Sequence, residues 1–388
     1  MRLLFVADGR SPIALQWIRY FTERGHEVYL ASTFACQPQL DLKGLDFIPV
    51  AFSGTKRATA SPASRSASSR SLNLSVPLKA RAALRHLLGP LTISRSARRL
   101  REVIGRIAPD LIHAMRIPYE GMLAADACVG IPLLVSVWGN DFTLHAPSTP
   151  LMSHYTRRTM QTANALHADC QRDIRLARQW GLAPARPTLV APGNGGLRSD
   201  IFHPPAQAVE APVVVNPRGF RAYVRNDTFF RAIPLILQEI PTARFLCASM
   251  AGEAQALRWI ETLGIAPAVE LLPPLPHEQM AAIFRRAAVL VSPSVHDGTP
   301  NSLLEGMACG CFPIAGDLES IREWITDGKN GLLIDATDPH ALARATLMAL
   351  QGPRLREQAT LINTALIQER ADYHTCMRQA ETFYSNLI

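Results

Sequence analysis

"MRLLFVADGRSPIALQWIRYFTERGHEVYLAS", residues 1–32, decides the fold. "LLFVAD" is an apolar run too short for a helix, and Gly9 closes it in the manner of a strand. "IALQWIRYFTERG" then places Ile13, Trp17, Ile18 and Phe21 on one side at helical spacing and stops at Gly25. "HEVYLAS" is a second strand. A strand, a turn, a helix and a strand in this order open a doubly wound parallel sheet, because returning to a parallel strand requires a crossover of fixed hand. Ligands of such sheets bind at the carboxyl ends of the strands.

The alternation continues outward from this opening. "ISRSARRLREVIGRIA" reads as helix, "DLIHAM" and "PLLVSVWG" as strands, "MQTANALHA" as helix, and "PTLVAPGNGG" as a strand entering a glycine-rich turn. "SGTKRATASPASRSASSRSLNLS" is rich in Ser and Ala, has no period and reads as a loop. The Pro-rich "IFHPPAQAVEAP" (201–212) reads as an interdomain linker. Beyond it the pattern restarts, with strands at "VVVNPRG", "ARFLCAS", "VELLPPL", "AVLVSPS" and "CFPIAG". Helices fall between them, and "LESIREWIT" and "PHALARATLMALQ" read as the helices that close the second unit. The expected class is α/β, with two doubly wound units facing across a cleft. Residues 1–200 form the first and 201–371 the second, with a terminal helix over 372–388 packing back on the first.

A chain of 388 residues, 48% hydrophobic and 19% charged, suits two globular domains and excludes a disordered chain. No apolar run reaches the roughly eighteen residues that span a bilayer. The opening is too short and too quickly polar for a secretory signal. Seven scattered cysteines without a CxxC imply free thiols in a reducing cytoplasm, not a disulfide framework or a metal site. The charge is uneven. Between Gly54 and Arg106 twelve basic residues face one acid, Glu102, although the whole chain carries only +8. Without interleaved aromatics this segment does not read as a nucleic-acid surface. It fits an anionic membrane surface or a pyrophosphate-bearing acceptor.

"HDGTPNSLLEGMACG" (296–310) sits between two apolar stretches and carries two carboxylates. Gly298 lets a ligand approach the backbone, and the helix that begins at Pro300 offers free N–H groups to an anion. Glu305 lies among Leu303, Leu304, Met307 and Ala308, where an unpaired carboxylate is costly. The two hydroxyls of a ribose would satisfy it. Asp297 would face another part of the same ligand. "NPRGFRAYVRND" follows the first strand of the second unit and groups Arg218, Arg221 and Arg225 in one loop that also holds two hinge points, Gly219 and Asn226. Three arginines past a strand end would clamp a diphosphate.

"SPSVHDGTPNSLLEGMACGCFPIAG…GKNGLLID" resembles the signature of retaining glycosyltransferases of family 4, also described as glycosyl transferases group 1. "GHEVYLAS", "DLIHA", "VSVWGNDF" and "APGNGG…IFHP" fall in the order that family shows. The resemblance implies the GT-B fold of two Rossmann-like domains. It implies transfer of a hexose-type sugar from a nucleotide-sugar donor, UDP- or GDP-linked, to a glycan or lipid-linked acceptor. No metal or other cofactor and no nucleic acid is implied. The setting would be exopolysaccharide, lipopolysaccharide or glycolipid assembly, in the cytoplasm and peripheral to the inner face of the plasma membrane. By resemblance Glu305 holds the ribose and Asp297 contacts the donor sugar. Gly298, Thr299, Asn301 and Ser302 meet sugar or diphosphate. Arg218 matches the family arginine, and Arg225 its lysine. Gly9 approaches the diphosphate, and Arg221 and Leu275, the latter in the loop "LPPLPHEQ", join the nucleotide site.

Three departures stand out. Asp297 replaces the usual Glu and is one methylene shorter. Trp138 of "VSVWGNDF" replaces a frequent His, leaving Gly139 and Asp141 as matches and either His113 of "DLIHAMR" or backbone groups to substitute in the chemistry. "DLESIRE" lacks the frequent Gly-Gly before Glu323. A sugar epimerase of the same fold would need acid and base groups beyond His113 and Glu120. A degenerate glycan-binding scaffold is the non-enzymatic alternative. An NAD-dependent oxidoreductase is disfavoured, because "DGRSP" lacks Gly-x-Gly-x-x-Gly.

Overall fold

The computed structural model describes residues 1–53, 85–128, 130–207 and 209–388. The first part of the basic segment, with Lys56, Arg57, Arg65, Arg70, Lys79 and Arg81, lies outside the described residues. The chain divides into two compact units. The first comprises Met1–Asp169, Asp173–Asn194 and Met377–Ile388, and the second Cys170–Arg172 and Gly195–Cys376.

The first unit holds a seven-stranded parallel sheet in the order β3-β2-β1-β4-β5-β6-β7. Its strands are β1 (Arg2–Ala7), β2 (Glu27–Ser32), β3 (Gly44–Phe47), β4 (Leu111–Met115), β5 (Leu133–Val137), β6 (Ala165–Ala168) and β7 (Thr188–Val190). The opening residues form the centre of this sheet. β1 pairs with β2 from Arg2 opposite Glu27 to Ala7 opposite Ser32. The crossover helix Pro12–Glu23 starts at Ser11, whose hydroxyl accepts the Ala14 amide, and has Pro12 in its first turn. It buries Trp17, Ile18 and Phe21 and gives way to Gly25 at φ 80°. The C-terminal residues from Met377 complete this core. Tyr384 is fully buried, accepts the Trp17 indole N–H at 2.8 Å and stacks on Phe21 at 4.5 Å.

The second unit holds a six-stranded parallel sheet in the order β10-β9-β8-β11-β12-β13. Its strands are β8 (Val213–Asn216), β9 (Arg244–Cys247), β10 (Val269–Leu271), β11 (Val289–Ser292), β12 (Phe312–Gly316) and β13 (Leu332–Ile334). In each sheet the first strand of the unit has a neighbour on both sides, and the order reverses there. That reversal opens the crevice in which ligands of such sheets bind.

Four local readings change. "MQTANALHA" divides, because the helix Pro150–Thr162 ends and "ALHA" becomes β6, buried throughout. A buried parallel strand of four residues has no polar alternation to separate it from a helix end. "LESIREWIT" forms successive turns and not a helix. Asn330 explains this: its side chain accepts the Thr326 amide at 2.7 Å and donates to the Trp324 carbonyl at 2.9 Å, bonds a continuing helix would need. The Pro-rich stretch 201–212 belongs to the second unit, where Phe202 is buried in a core cluster, and does not act as a linker. The helix Pro353–Arg370 escaped the periodic reading because it buries only Ala359, Asn363 and Ile367. Among the described residues no helix is long and apolar enough to cross a membrane. All seven cysteines are free, and burial pushes the Cys309 thiol up to about 12, which leaves it unreactive.

Candidate functional site

The second unit builds its site at the ends of β8 and β11. Pro217 to Arg225 leave β8 and pair with the chain that leaves β11: the Arg225 amide donates to Pro293 O at 2.8 Å and the Val295 amide to Tyr223 O at 2.9 Å. Asn216 and Asn226 hold this loop from inside. Asn216 accepts the Arg218 amide at 3.1 Å and donates to Asn226 at 3.0 Å, while Asn226 donates to Gly219 O at 2.8 Å. Asn226 is 3% exposed and begins the helix Asn226–Glu239, so it fastens the loop where the sequence suggested a hinge. Gly219 sits at φ 59°, where a side chain is strained.

Held this way, the Arg218 guanidinium is buried. It donates to Asp297 Oδ2 at 2.5 Å and to Ser302 Oγ at 3.2 Å, while its Nε finds no partner. Asp297 is fixed from its other side, because its carbonyl accepts from Arg172 Nη1 at 2.5 Å and from Ser320 Oγ at 2.8 Å. The amides of Gln171 and Arg172 in turn donate to the Glu323 carboxylate at 2.9 Å each. Gly316 admits this packing, since a Cβ there would overlap the Ser294 carbonyl. Gly298 and Thr299 are buried, and Thr299 Oγ1 accepts the Trp324 indole at 2.9 Å.

The helix Asn301–Ala308 follows, with Pro300 one place earlier than the sequence suggested, as an extended cap at ψ 119°. Asn301 Oδ1 is buried without a partner. Glu305 is 8% exposed, and its carboxylate makes no hydrogen bond to any described residue. Burial raises its pKa to about 7, partly offset by the charge of Arg218. Arg218, Asp297, Ser302 and Glu305 therefore meet at one helix N-terminus, with an unsatisfied donor, an unsatisfied acceptor and a carboxylate that lacks donors.

Other expected residues do not join them. Arg225 turns to Asp227 in a two-point contact at 2.8 and 2.7 Å, and Arg221 is exposed beside Tyr223. Of the three arginines expected to act together, Arg218 alone lies beside Asp297 and Ser302. Leu275 is half-buried between β10 and the helix His277–Arg286. Gly9 lies in the first unit, after β1, where a Cβ would press on Ser32 Oγ and Cys36 Sγ. His113 is a core residue. It is 1% exposed on β4, with Nε2 bonded to Ser136 at 2.7 Å and Nδ1 to the Tyr384 hydroxyl, so neither ring nitrogen is available to a substrate. Burial holds it well below the usual histidine range. Asp141, wholly buried, pairs with Arg116 at 2.9 Å. Arg172, Ser320 and Trp324, which the sequence reading passed over, position the Asp297 loop and Thr299.

Residues 9–193 match the family described as glycosyl transferase 4-like domain, and residues 211–352 match glycosyl transferases group 1. The chain is 26% identical over 199 residues to the D-inositol 3-phosphate glycosyltransferase of Thermobifida fusca, a match covering 47% of this chain and 46% of that protein. The protein of the same name from Streptosporangium roseum is 25% identical over 52% of this chain and 50% of its own length. The chain thus spans about half the length of these curated relatives. Sucrose-phosphate synthase from Thermosynechococcus elongatus superposes with a TM-score of 0.75 at 15% identity, covering 100% of this chain and 99% of that one. Anabaena HepE, solved in complex with UDP, gives 0.72 at 15% identity over 99% and 100%. These likenesses establish the GT-B fold.

Proposed function

The chain belongs to the glycosyl transferases that carry a group 1 domain behind a 4-like domain, and on that premise we propose that it transfers a hexose-type sugar from a UDP- or GDP-sugar to an acceptor hydroxyl with retention of configuration. One observation carries the reading: Glu305, a buried carboxylate without donors at the helix N-terminus that also holds Arg218 and Ser302. A ribose diol supplies the two donors Glu305 lacks, and the diphosphate attached to it would extend toward Arg218. HepE, with the same fold, is solved with UDP.

In this reading the leaving diphosphate draws its stabilisation from Arg218 and the helix N-terminus, so no metal is required. Asp297 faces the sugar. The acceptor oxygen bonds to the anomeric carbon on the face from which the phosphate oxygen departs, and the acceptor proton passes to that phosphate. Incubation with a panel of UDP- and GDP-sugars, followed by NMR of the product anomer, tests the proposal. Transfer with inverted configuration, or no turnover and no nucleotide binding across the panel, would overturn it.

We place the enzyme at an anionic membrane surface, in the cytoplasm, in the assembly of a surface polysaccharide or glycolipid. In support, Leu87, Leu88 and Leu91 are 54%, 41% and 65% exposed just ahead of the helix Ile93–Ile107. Arg95, Arg98 and Arg99 stand exposed on that helix. Apolar side chains beside cations suit the interface of an anionic bilayer. Co-sedimentation should rise with the fraction of phosphatidylglycerol in vesicles and fall at 0.5 M salt, where screening shortens to about 4 Å. Binding indifferent to both would remove the membrane from the proposal.

A further inference from the structure

The first unit contains a cavity of about 260 Å³, near the lower end of small-molecule sites of roughly 300–1,000 Å³. Arg10, Arg85, Arg116, Glu120, Trp138 and His145 are among its lining residues. Its character follows from what each polar group already does. Asp8 is held by Arg10 through two contacts of 3.0 Å. Glu120 accepts the Thr33 hydroxyl at 2.6 Å and the Tyr119 amide at 2.8 Å. The acids at the cavity are engaged.

The histidines are ordered as well. Arg116 donates to His145 Nε2 at 2.9 Å, and a guanidinium has no acceptor to offer. The His145 proton therefore lies on Nδ1, directed to His86 Nε2 at 3.2 Å. Burial, aided by the neighbouring arginines, lowers both rings, His145 to about 3, which keeps them neutral.

Two groups remain. Arg85 Nε and Trp138 Nε1 are buried without hydrogen-bond partners, and each can only donate. Arg85 has no ion pair among the described residues, and its guanidinium stands over the rings of Phe34 at 5.5 Å and Tyr119 at 4.8 Å, which hold it in place. The charge of Glu120 acts on Arg85 and Arg116, but its oxygens accept from Thr33 and Tyr119 and leave the two donors unmatched, so the cavity is complementary to a group that carries several acceptor oxygens, an oxyanion. A sugar hydroxyl could accept one of these bonds, whereas a phosphate or carboxylate has separate oxygens for both.

We propose that this cavity binds an anionic group, phosphate or carboxylate, on the acceptor, with Arg85 and Trp138 as its donors. The assignment rests on the glycosyltransferase reading, and it gives Trp138 a positioning role that a proton-transferring histidine would not have. An indole cannot take a proton at neutral pH, so this residue binds and orients.

The test uses the full chain and matched acceptors: glucose against glucose 6-phosphate and glucuronic acid, and dodecanol against dodecyl phosphate in phosphatidylcholine vesicles. The vesicle arm separates a lipid phosphate from a soluble one. Calorimetry with UDP and GDP runs in parallel on wild type, Arg85→Gln and Trp138→Phe. An anionic member should bind at least tenfold tighter than its neutral counterpart. Arg85→Gln should remove that preference and Trp138→Phe should weaken it, with nucleotide affinity within twofold of wild type. A wild type that binds nucleotide but shows no anion preference overturns the inference. So does an Arg85→Gln protein that loses nucleotide affinity instead, because the cavity would then serve the donor diphosphate. Arg85-dependent anion binding in a protein that binds no nucleotide would leave this inference standing and sink the donor assignment.

Discussion

Arg218→Ala should lower kcat/KM by a factor of about 10²–10³, the usual effect of removing one preorganised donor from developing charge. The guanidinium is 6% exposed, touches both Asp297 and Ser302, and has one N–H still unmatched. Its loss has a second consequence. Asp297 would keep a largely buried carboxylate with its partner gone, at a cost of about 3 kcal/mol in stability. The two effects separate in the double variant Arg218→Ala/Asp297→Asn, which leaves no uncompensated charge. Its melting temperature should return toward wild type while its rate stays low. If the rate returns with the stability, Arg218 is only a partner for Asp297 and the leaving-group assignment fails.

Arg218 and Glu305 were legible in the sequence for a common reason: each is a polar residue in a local pattern that the pattern cannot satisfy. A carboxylate among Leu303, Leu304, Met307 and Ala308 announces its own burial. Arg225 shows the limit of that logic. Asp227 stands two residues on, and a local ion pair outcompetes a distant ligand, a signal present in "VRND" itself. His113 carried a signal too. "DLIHAM" reads as a strand buried on both faces, and a histidine inside one bonds to the core, here to Ser136 and Tyr384. The residues that fix Asp297 were beyond reach. Arg172 lies 125 positions from it, and no periodicity relates them. The opening strand-helix-strand succeeded because Gly9 and Gly25 mark its stops, whereas "LESIREWIT" failed because the side chain that interrupts it, Asn330, lies outside the stretch.

Glu305→Gln should make the empty protein more stable at pH 8 and nearly abolish nucleotide binding. An unfolded Glu titrates near 4.5, and burial moves the folded group to about 7. The folded state therefore holds the proton more tightly. Stability that is present below about pH 4.5 is lost as pH rises to about 7, in total about 3 kcal/mol. A glutamine carries no charge to desolvate, although its buried amide gives back about 1–2 kcal/mol. Melting at pH 8 should rise accordingly, with no gain at pH 4.5. Affinity should behave in the opposite sense. A carboxylate that accepts two ribose hydroxyls must be ionised, so nucleotide binding by wild type should weaken about tenfold for each pH unit below 7 and level off above it. The variant should bind weakly at every pH, with no inflection near 7. Calorimetry from pH 5.5 to 8.5 reads both proteins. Parallel curves for the two would mean that Glu305 does not meet the ribose, and that its burial beside Arg218 needs another ligand.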